Sequence, residues 1–379
     1  MKDKQLHIVC LDNPYPPEYG GAIDMFNRIV SLHRLGIRLH VHYFQYGDRN
    51  HAEPLRPYCS TLTAYGRHTG WRGFSLATPY IVSSRKSSEL AERLNANTFP
   101  VLLEGIHCTG ILPLIHQNGR RILVRLHNDE SRYYSRLSRV ASSPLKKVYY
   151  WLESRLLNGY QHRLPQDIMY ASMTPGDARR FEEVYRLGDV RYLPGSLSWQ
   201  ELTCRPGTGS FCLYHGNLGV AENEMAAIWL LDKIFLKLRI PFVIAGKNPS
   251  RRLQKIAHLH QHTCLIANPS EDEIDDLVRK AHINILPSFN ATGLKLKLLH
   301  ALFEGRHCVT NQAAVAGTGL DKACHLGEDA QQLREVIAGL YRQPFEEHEI
   351  RLREKLLFPL YDNRKNAELV SQWLFERYP

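Results

Sequence analysis

Short apolar runs alternate along the whole chain with stretches in which apolar residues recur every three to four positions. The runs at 6–13 (LHIVCLDN), 38–44, 60–66, 101–106, 122–128, 167–173 and 190–193 have the uniformly hydrophobic character of strands buried on both faces. YIVSS (80–84) is a further short run. Helical spacing fills the gaps: Ile23, Phe26, Ile29, Val30 and Leu32 mark one inward face, and 87–96, 108–117 (CTGILPLIHQ) and 174–185 predict more helices. Alternation of this kind predicts a parallel sheet with helices on both faces.

Pro194, Gly195, Pro206, Gly207 and Gly209 then cluster without any period, which places an interdomain linker there. A second round follows, with strands at 211–218, 241–246, 263–268, 282–287 and 307–311 and helices at 223–238, 249–260, 270–281 and 330–341. The expected fold is α/β: two Rossmann-like domains, 1–195 and 210–345, facing a central cleft. Pro359 is expected to interrupt the last helical stretch. In 350–379 a final helix, with Leu369, Val370, Trp373 and Leu374 on one stripe, is expected to cross back onto the first domain.

Composition narrows the classes. A chain of 379 residues is long enough for two cores, which excludes a structural peptide or tail. Its 48 Lys+Arg against 38 Asp+Glu, net +10, points to an anionic partner. The excess is concentrated: Arg132, Arg136, Arg139, Lys146, Lys147, Arg155 and Arg163 are opposed only by Glu153. This basic segment, 132–163, contains Tyr and Trp and is a candidate for an anionic membrane surface, against a plain solvated helix face. The eight cysteines lack any zinc-like spacing and read as buried groups in a reducing compartment. Without a signal-like start or an 18-residue apolar window, the expected location is cytoplasmic, peripheral at the inner face of the membrane where the segment binds.

The chemistry is expected in loops after strands, where open α/β sheets bind ligands. LPSFNATGLKLKLLHALFEGRHCVTN joins a buried strand to a helix through Thr292-Gly293, placing Lys295 and Lys297 in the first helical turn. Lysines there oppose the dipole, and make sense if an anion occupies the free N–H groups; the bland reading is a solvated turn. His215-Gly216-Asn217 and Gly246-Lys247 follow two other strands of that half. In the first half, Gly20-Gly21 either lets backbone approach a phosphate or sugar or is a turn needing positive φ. Asp24 is a helix-start acid or an acceptor ligand. His107 and the cluster His127-Asn128-Asp129-Glu130 suit sugar hydroxyls, and Glu104 is a paired acid or a sugar ligand. There is no GxGxxG, no P-loop and no clustered His/Asp/Glu spacing for a metal.

These blocks resemble the GT-B glycosyltransferases, more closely the retaining family 4 bacterial group. TGLKLKLLHALFEGRHCVTNQAAVAGTGL is similar to that group's GxKxKxxEAxAxGxPVV…GL block, through Gly293, Lys295, Lys297, Ala301, Gly305, Gly319 and Leu320. PYPPEYGGAIDMFNRIV, YHGNLGVAENEMAAIWLL and FVIAGKNPSRRL resemble its other landmarks. The resemblance implies retaining transfer from a nucleotide diphosphate sugar to a glycan or lipid-linked acceptor, with no metal and no cofactor beyond that co-substrate. In this picture Lys295 and Lys297, with Thr292, Gly293 and Leu294, neutralise the departing diphosphate. Gly216, Asn217 and Lys247 line the donor pocket, Gly20 and Gly21 lie near the donor phosphate, and His127 contacts the transferred sugar. Glu104, His107, Asn128 and Asp24 face the acceptor. Two departures stand out: His300 occupies the place of the glutamate that holds the ribose, and HGNLGV lacks the usual cationic pair. A sugar-nucleotide epimerase of the same fold is the alternative; nucleic-acid binding is disfavoured because no recognised module accompanies the basic segment.

Overall fold

The computed structural model describes residues 4–45, 47, 51–116, 119–141, 143–290 and 293–376. The chain divides into two compact units, 1–198 with 361–379, and 199–360. The boundary falls at Ser198/Trp199, so 199–209 and 350–360 go with the second unit.

In the first unit seven strands, β1 (Gln5–Cys10), β2 (Arg38–Gln45), β3 (Thr61–Gly66), β4 (Val101–Glu104), β5 (Ile122–Leu126), β6 (Met169–Ser172) and β7 (Asp189–Tyr192), form one sheet in the order β3-β2-β1-β4-β5-β6-β7. Every pairing is parallel. Both faces are buried, as the uniform apolar runs require: Leu6, Ile8 and Cys10 of β1 join one core cluster and Val9 joins the other. The second unit holds β8 (Cys212–His215), β9 (Phe242–Gly246), β10 (Thr263–Ala267), β11 (Ile283–Ile285), β12 (His307–Thr310) and β13 (His325–Leu326), again all parallel, in the order β10-β9-β8-β11-β12-β13. Strand order reverses between β1 and β4 and between β8 and β11. Such switch points open a crevice at the carboxyl ends of the strands.

Four local expectations change. YIVSS is helical at Tyr80–Ser83 rather than extended: Ile81 and Val82 enter the core while Arg85 Nη1 donates to the Ile81 carbonyl. The segment expected as an α-helix at 108–117 is a 3-10 stretch, Ile106–Leu114, where Pro113 supplies no N–H for α-helical bonding. Pro359 lies inside the helix Glu347–Tyr361; the break comes at Asp362, whose side chain accepts from Lys365 N and starts Asn363–Phe375. β13, only two residues long, had no sequence signal.

Asn363–Phe375 packs on Gly20–Arg34 within the first unit, placing Val370, Trp373 and Leu374 in the core cluster with Met25 and Ile29. Arg191 stacks on the Trp373 ring and Arg121 Nη1 donates to its carbonyl. Trp373→Ala should therefore cost the first unit about 3–5 kcal/mol. Denaturant unfolding monitored separately for the two units would register this as a shift of one transition, the other staying in place.

Candidate functional site

The first unit's candidates gather around a buried ion network. Asp24 accepts from Arg28 Nη2 at 2.6 Å and from Arg125 Nε at 2.9 Å, and Ser196 N donates to it at 2.5 Å. Arg28 Nε reaches Glu104 Oε1 at 3.0 Å, and Glu104 Oε2 accepts from His127 Nε2 at 2.8 Å. Burial alone would raise the Asp24 carboxyl; the Arg125 and Arg28 guanidiniums outweigh it and hold the group well below the usual carboxylate range. Burial likewise opposes ionisation of Glu104, and Arg28 and His127 reverse the effect.

For Glu104 the ion pairs match the paired-acid alternative, and Asp24 is likewise paired. Both are buried, with their oxygens committed to guanidinium and imidazole groups, and they position their neighbours. Glu104 fixes His127, whose Nδ1 would lie 3.7 Å from a β-carbon built on Gly21. Gly20 and Gly21 open the helix Gly20–Arg34 and have no positive φ, so the turn explanation does not apply to them. That helix start has no side-chain cap and no acid in its first turn, which leaves it suited to an anion.

His107 follows Gly105, whose φ of 91° and crowding against His107 and Leu11 leave no room for a side chain. Burial, with Arg85 nearby, pushes the His107 imidazole well below its ordinary range, so it is neutral; its Nδ1 is buried without a partner. Sequence reasoning passed over Arg85 and gave Glu130 no role of its own. Glu130 is buried at the start of Glu130–Val140, and burial lifts its carboxyl to about 7 against a hydrogen bond from Asn128. A carboxyl at the end of a strand followed by a polar run was the available signal; Arg85 left none.

In the second unit three strand-end loops converge. Lys297 Nζ donates to Tyr214 Oη at 3.1 Å and to Asn223 Oδ1 at 3.0 Å, lying over the Tyr214 ring. Asn223 also donates to the Asn217 carbonyl, and the Asn217 side chain accepts from Gly219 N. The β9 loop is pressed against the β8 loop: a β-carbon on Gly246 would sit 1.8 Å from Gly216 O, so only glycine fits. Gly219 N donates to the Lys247 carbonyl, drawing that residue into the same turn. Gly293 has φ 70°, Leu294 precedes the helix rather than starting it, and Lys295 is the N-cap of Leu296–Glu304, with Lys297 the second residue of that helix. Thr292 lies outside the described residues.

Burial, reinforced by Lys295, lowers Lys297 to about 8. His215, ending β8, is buried and held neutral by burial, His300 and Lys297, with Nε2 unpartnered. His300, expected at the donor's ribose, is buried beside His215. It is stacked under Trp199 at 4.6 Å, and its Nε2 lies 3.0 Å from Asp275 Oδ1. Burial would lower its proton affinity, but Asp275 and Glu304 outweigh burial and raise it above the ordinary imidazole value.

Residues 210–343 match the family described as Glycosyl transferases group 1. The second unit thus carries a domain of this family, and the chain as a whole has the GT-B fold. Over 98% of its length the chain superposes on 99% of an α,α-trehalose-phosphate synthase (UDP-forming) from Burkholderia xenovorans, with TM-score 0.64 and 13% identity. WaaG, a glycosyltransferase involved in lipopolysaccharide biosynthesis, gives TM-score 0.60 at 12% identity over 98% of this chain and 100% of its own. A protein in the cps region of Klebsiella pneumoniae is 27% identical over 335 residues, 82% of this chain and 84% of that protein.

The lowered Lys297 ammonium costs the folded state stability below pH 8, and the cost fades as pH rises from 8 toward the ordinary lysine value. An anion that needs the charge works in the opposite sense. Affinity for UDP, followed by calorimetry, should fall as pH rises through about 8, and Lys297→Met should flatten that profile.

Proposed function

We propose that this chain is a glycosyltransferase that transfers a sugar, with retention and without a metal, from a nucleotide diphosphate sugar to a glycan or lipid-linked acceptor of a cell-surface polysaccharide. The observation that carries the donor half is Lys297, a desolvated cation held by two neutral partners where three strand-end loops meet. A charge so placed neutralises a departing diphosphate without water competing for it, which is the work a metal ion performs elsewhere. Lys295 and the free N–H groups at the start of Leu296–Glu304 add to it. UDP is the first nucleotide to test, since the Burkholderia neighbour is UDP-forming.

On the acceptor side, His127, held by Glu104, and the uncapped start of Gly20–Arg34 suit the transferred sugar and its phosphate. His107, Asn128 and Glu130 suit acceptor hydroxyls, because a neutral imidazole and a carboxyl near 7 both donate and accept hydrogen bonds. A thermal-shift screen against UDP, GDP, ADP, dTDP and CMP with their sugars tests the reading. Lys297→Ala should abolish the diphosphate-dependent shift and leave the unliganded midpoint nearly unchanged; an undiminished shift would place the cradle elsewhere.

A lipid-linked acceptor would bring the first unit to an anionic membrane, at the cytoplasmic face. The basic segment supports this, because its helix Pro144–Gln161 leaves Leu145 83% exposed together with Val148, Trp151 and Leu152, beside Lys146, Lys147 and Arg155. The exposed Trp71 and Leu76 belong to a loop tied to that helix by Tyr80 N donating to Glu153 and Arg163 to the Ala77 carbonyl. Among the described residues no helix is long and apolar enough to cross a membrane, so the contact would be interfacial. The chain should float with vesicles containing acidic lipid at low salt, and Leu145→Ser with Trp151→Ser should leave it at the bottom of the gradient.

A further inference from the structure

His307, His325 and Glu349 are far apart in sequence and meet at the edge of the second sheet. His307 opens β12, His325 opens β13, and the two strands pair in parallel; Glu349 comes from the first turn of Glu347–Tyr361. Glu349 Oε1 lies 3.3 Å from His307 Nδ1 and 3.1 Å from His325 Nε2, and the three groups' ligand atoms are all within 4.8 Å of one another.

His307 is 2% exposed. Its Nε2 is 3.2 Å from the Gln343 carbonyl, which only accepts, so Nε2 carries the hydrogen. Nδ1 is buried without a hydrogen-bond partner and is aimed at a carboxylate oxygen. A buried nitrogen and a carboxylate oxygen facing one another in this way are a donor pair that a shared metal ion can bridge. A zinc ion held tetrahedrally at about 2.0–2.1 Å spaces its ligand atoms about 3.3 Å apart, close to the 3.3 and 3.1 Å that separate Glu349 Oε1 from the two imidazole nitrogens. An imidazole whose other nitrogen donates to a carbonyl has the outer hydrogen bond typical of metal ligands.

The two other His/Asp/Glu groupings among the described residues differ. In Asp24, Glu104 and His127 the carboxylates are taken by Arg28 and Arg125, and in Asp275, His300 and Glu304 one carboxylate is taken by Arg279. Near Glu349 the guanidinium of Arg353 is spent on the carbonyls of Leu302, Gly305 and Arg306. A cavity of 460 Å³ beside the trio, also lined by Cys324 and His348, leaves room for a water as further ligand.

We propose that His307, His325 and Glu349 bind one divalent ion of the zinc class, for which imidazole and carboxylate donors are suited. The ion sits at the amino ends of β12 and β13, the opposite end of the sheet from Lys297, and clamps Glu347–Tyr361 to a two-residue edge strand. Its part is in holding the unit together, outside the transfer reaction.

The full chain, stripped with chelator and dialysed, should bind about one Zn²⁺ per molecule in equilibrium dialysis, and added Zn²⁺ alone should raise its melting midpoint. His325→Gln, a change at a half-exposed side chain that leaves the core intact, and Glu349→Gln should each weaken binding by at least about tenfold and remove the zinc-dependent rise, while circular dichroism stays that of the parent. Absence of bound zinc, or equal affinity in both variants, would make the trio an ion-paired cluster and overturn the proposal.

Discussion

Parallel strands share one direction, and this gives each sheet two chemically unlike ends. At the carboxyl end the chain must leave the sheet into a loop and enter a helix whose first N–H groups are unpaired. In the second unit that end holds His215, Gly216, Lys247 and Lys297; in the first it holds Glu104, Gly20, Gly21 and His127. At the amino end, loops arrive from helix ends, and there His307, His325 and Glu349 collect. The direction of the strands, rather than any single motif, decides which residues can act on the same ligand.

The two carboxyl ends manage buried charge differently. In the first unit, Asp24 and Glu104 are surrounded by Arg28, Arg125 and His127, so each ion has a partner; removing one would leave the others buried and uncompensated, a loss on the order of 3–5 kcal/mol. That network gives rigidity and orients His127. In the second unit Lys297 hydrogen-bonds only to a hydroxyl and an amide, and its lowered proton affinity shows that burial and Lys295 outweigh the nearby Glu222. A site that stores an unmatched cation is poised for an anion, whereas one whose ions are already matched is poised to hold geometry.

Much of this was readable in the residues. The apolar runs marked all but one of the thirteen strands, because a strand buried on both faces needs no polar alternation, and only the two-residue β13 was too short to carry a signal. The block around Gly293 and Lys297 was legible because glycine, lysine and helical periodicity sit together in the chain. Less could be read of Glu104, Asp24 and His300. Their residue types fit ligand contact equally well, and their partners come from strands and helices remote in sequence.

Taken alone, the sequence determined the fold class, the strand-end loops and the lysines of the Gly293 turn, since each depends on residues close together along the chain. Tertiary structure alone decided which charges are paired: Asp24 with Arg125, His300 with Asp275, and Lys297 hydrogen-bonded to no carboxylate among the described residues, with only the field of Glu222 to offset burial. It also decided that His307, His325 and Glu349 meet. Neutralisation and ligand geometry depend on distances of a few ångströms between segments that only the folded sheet order brings together.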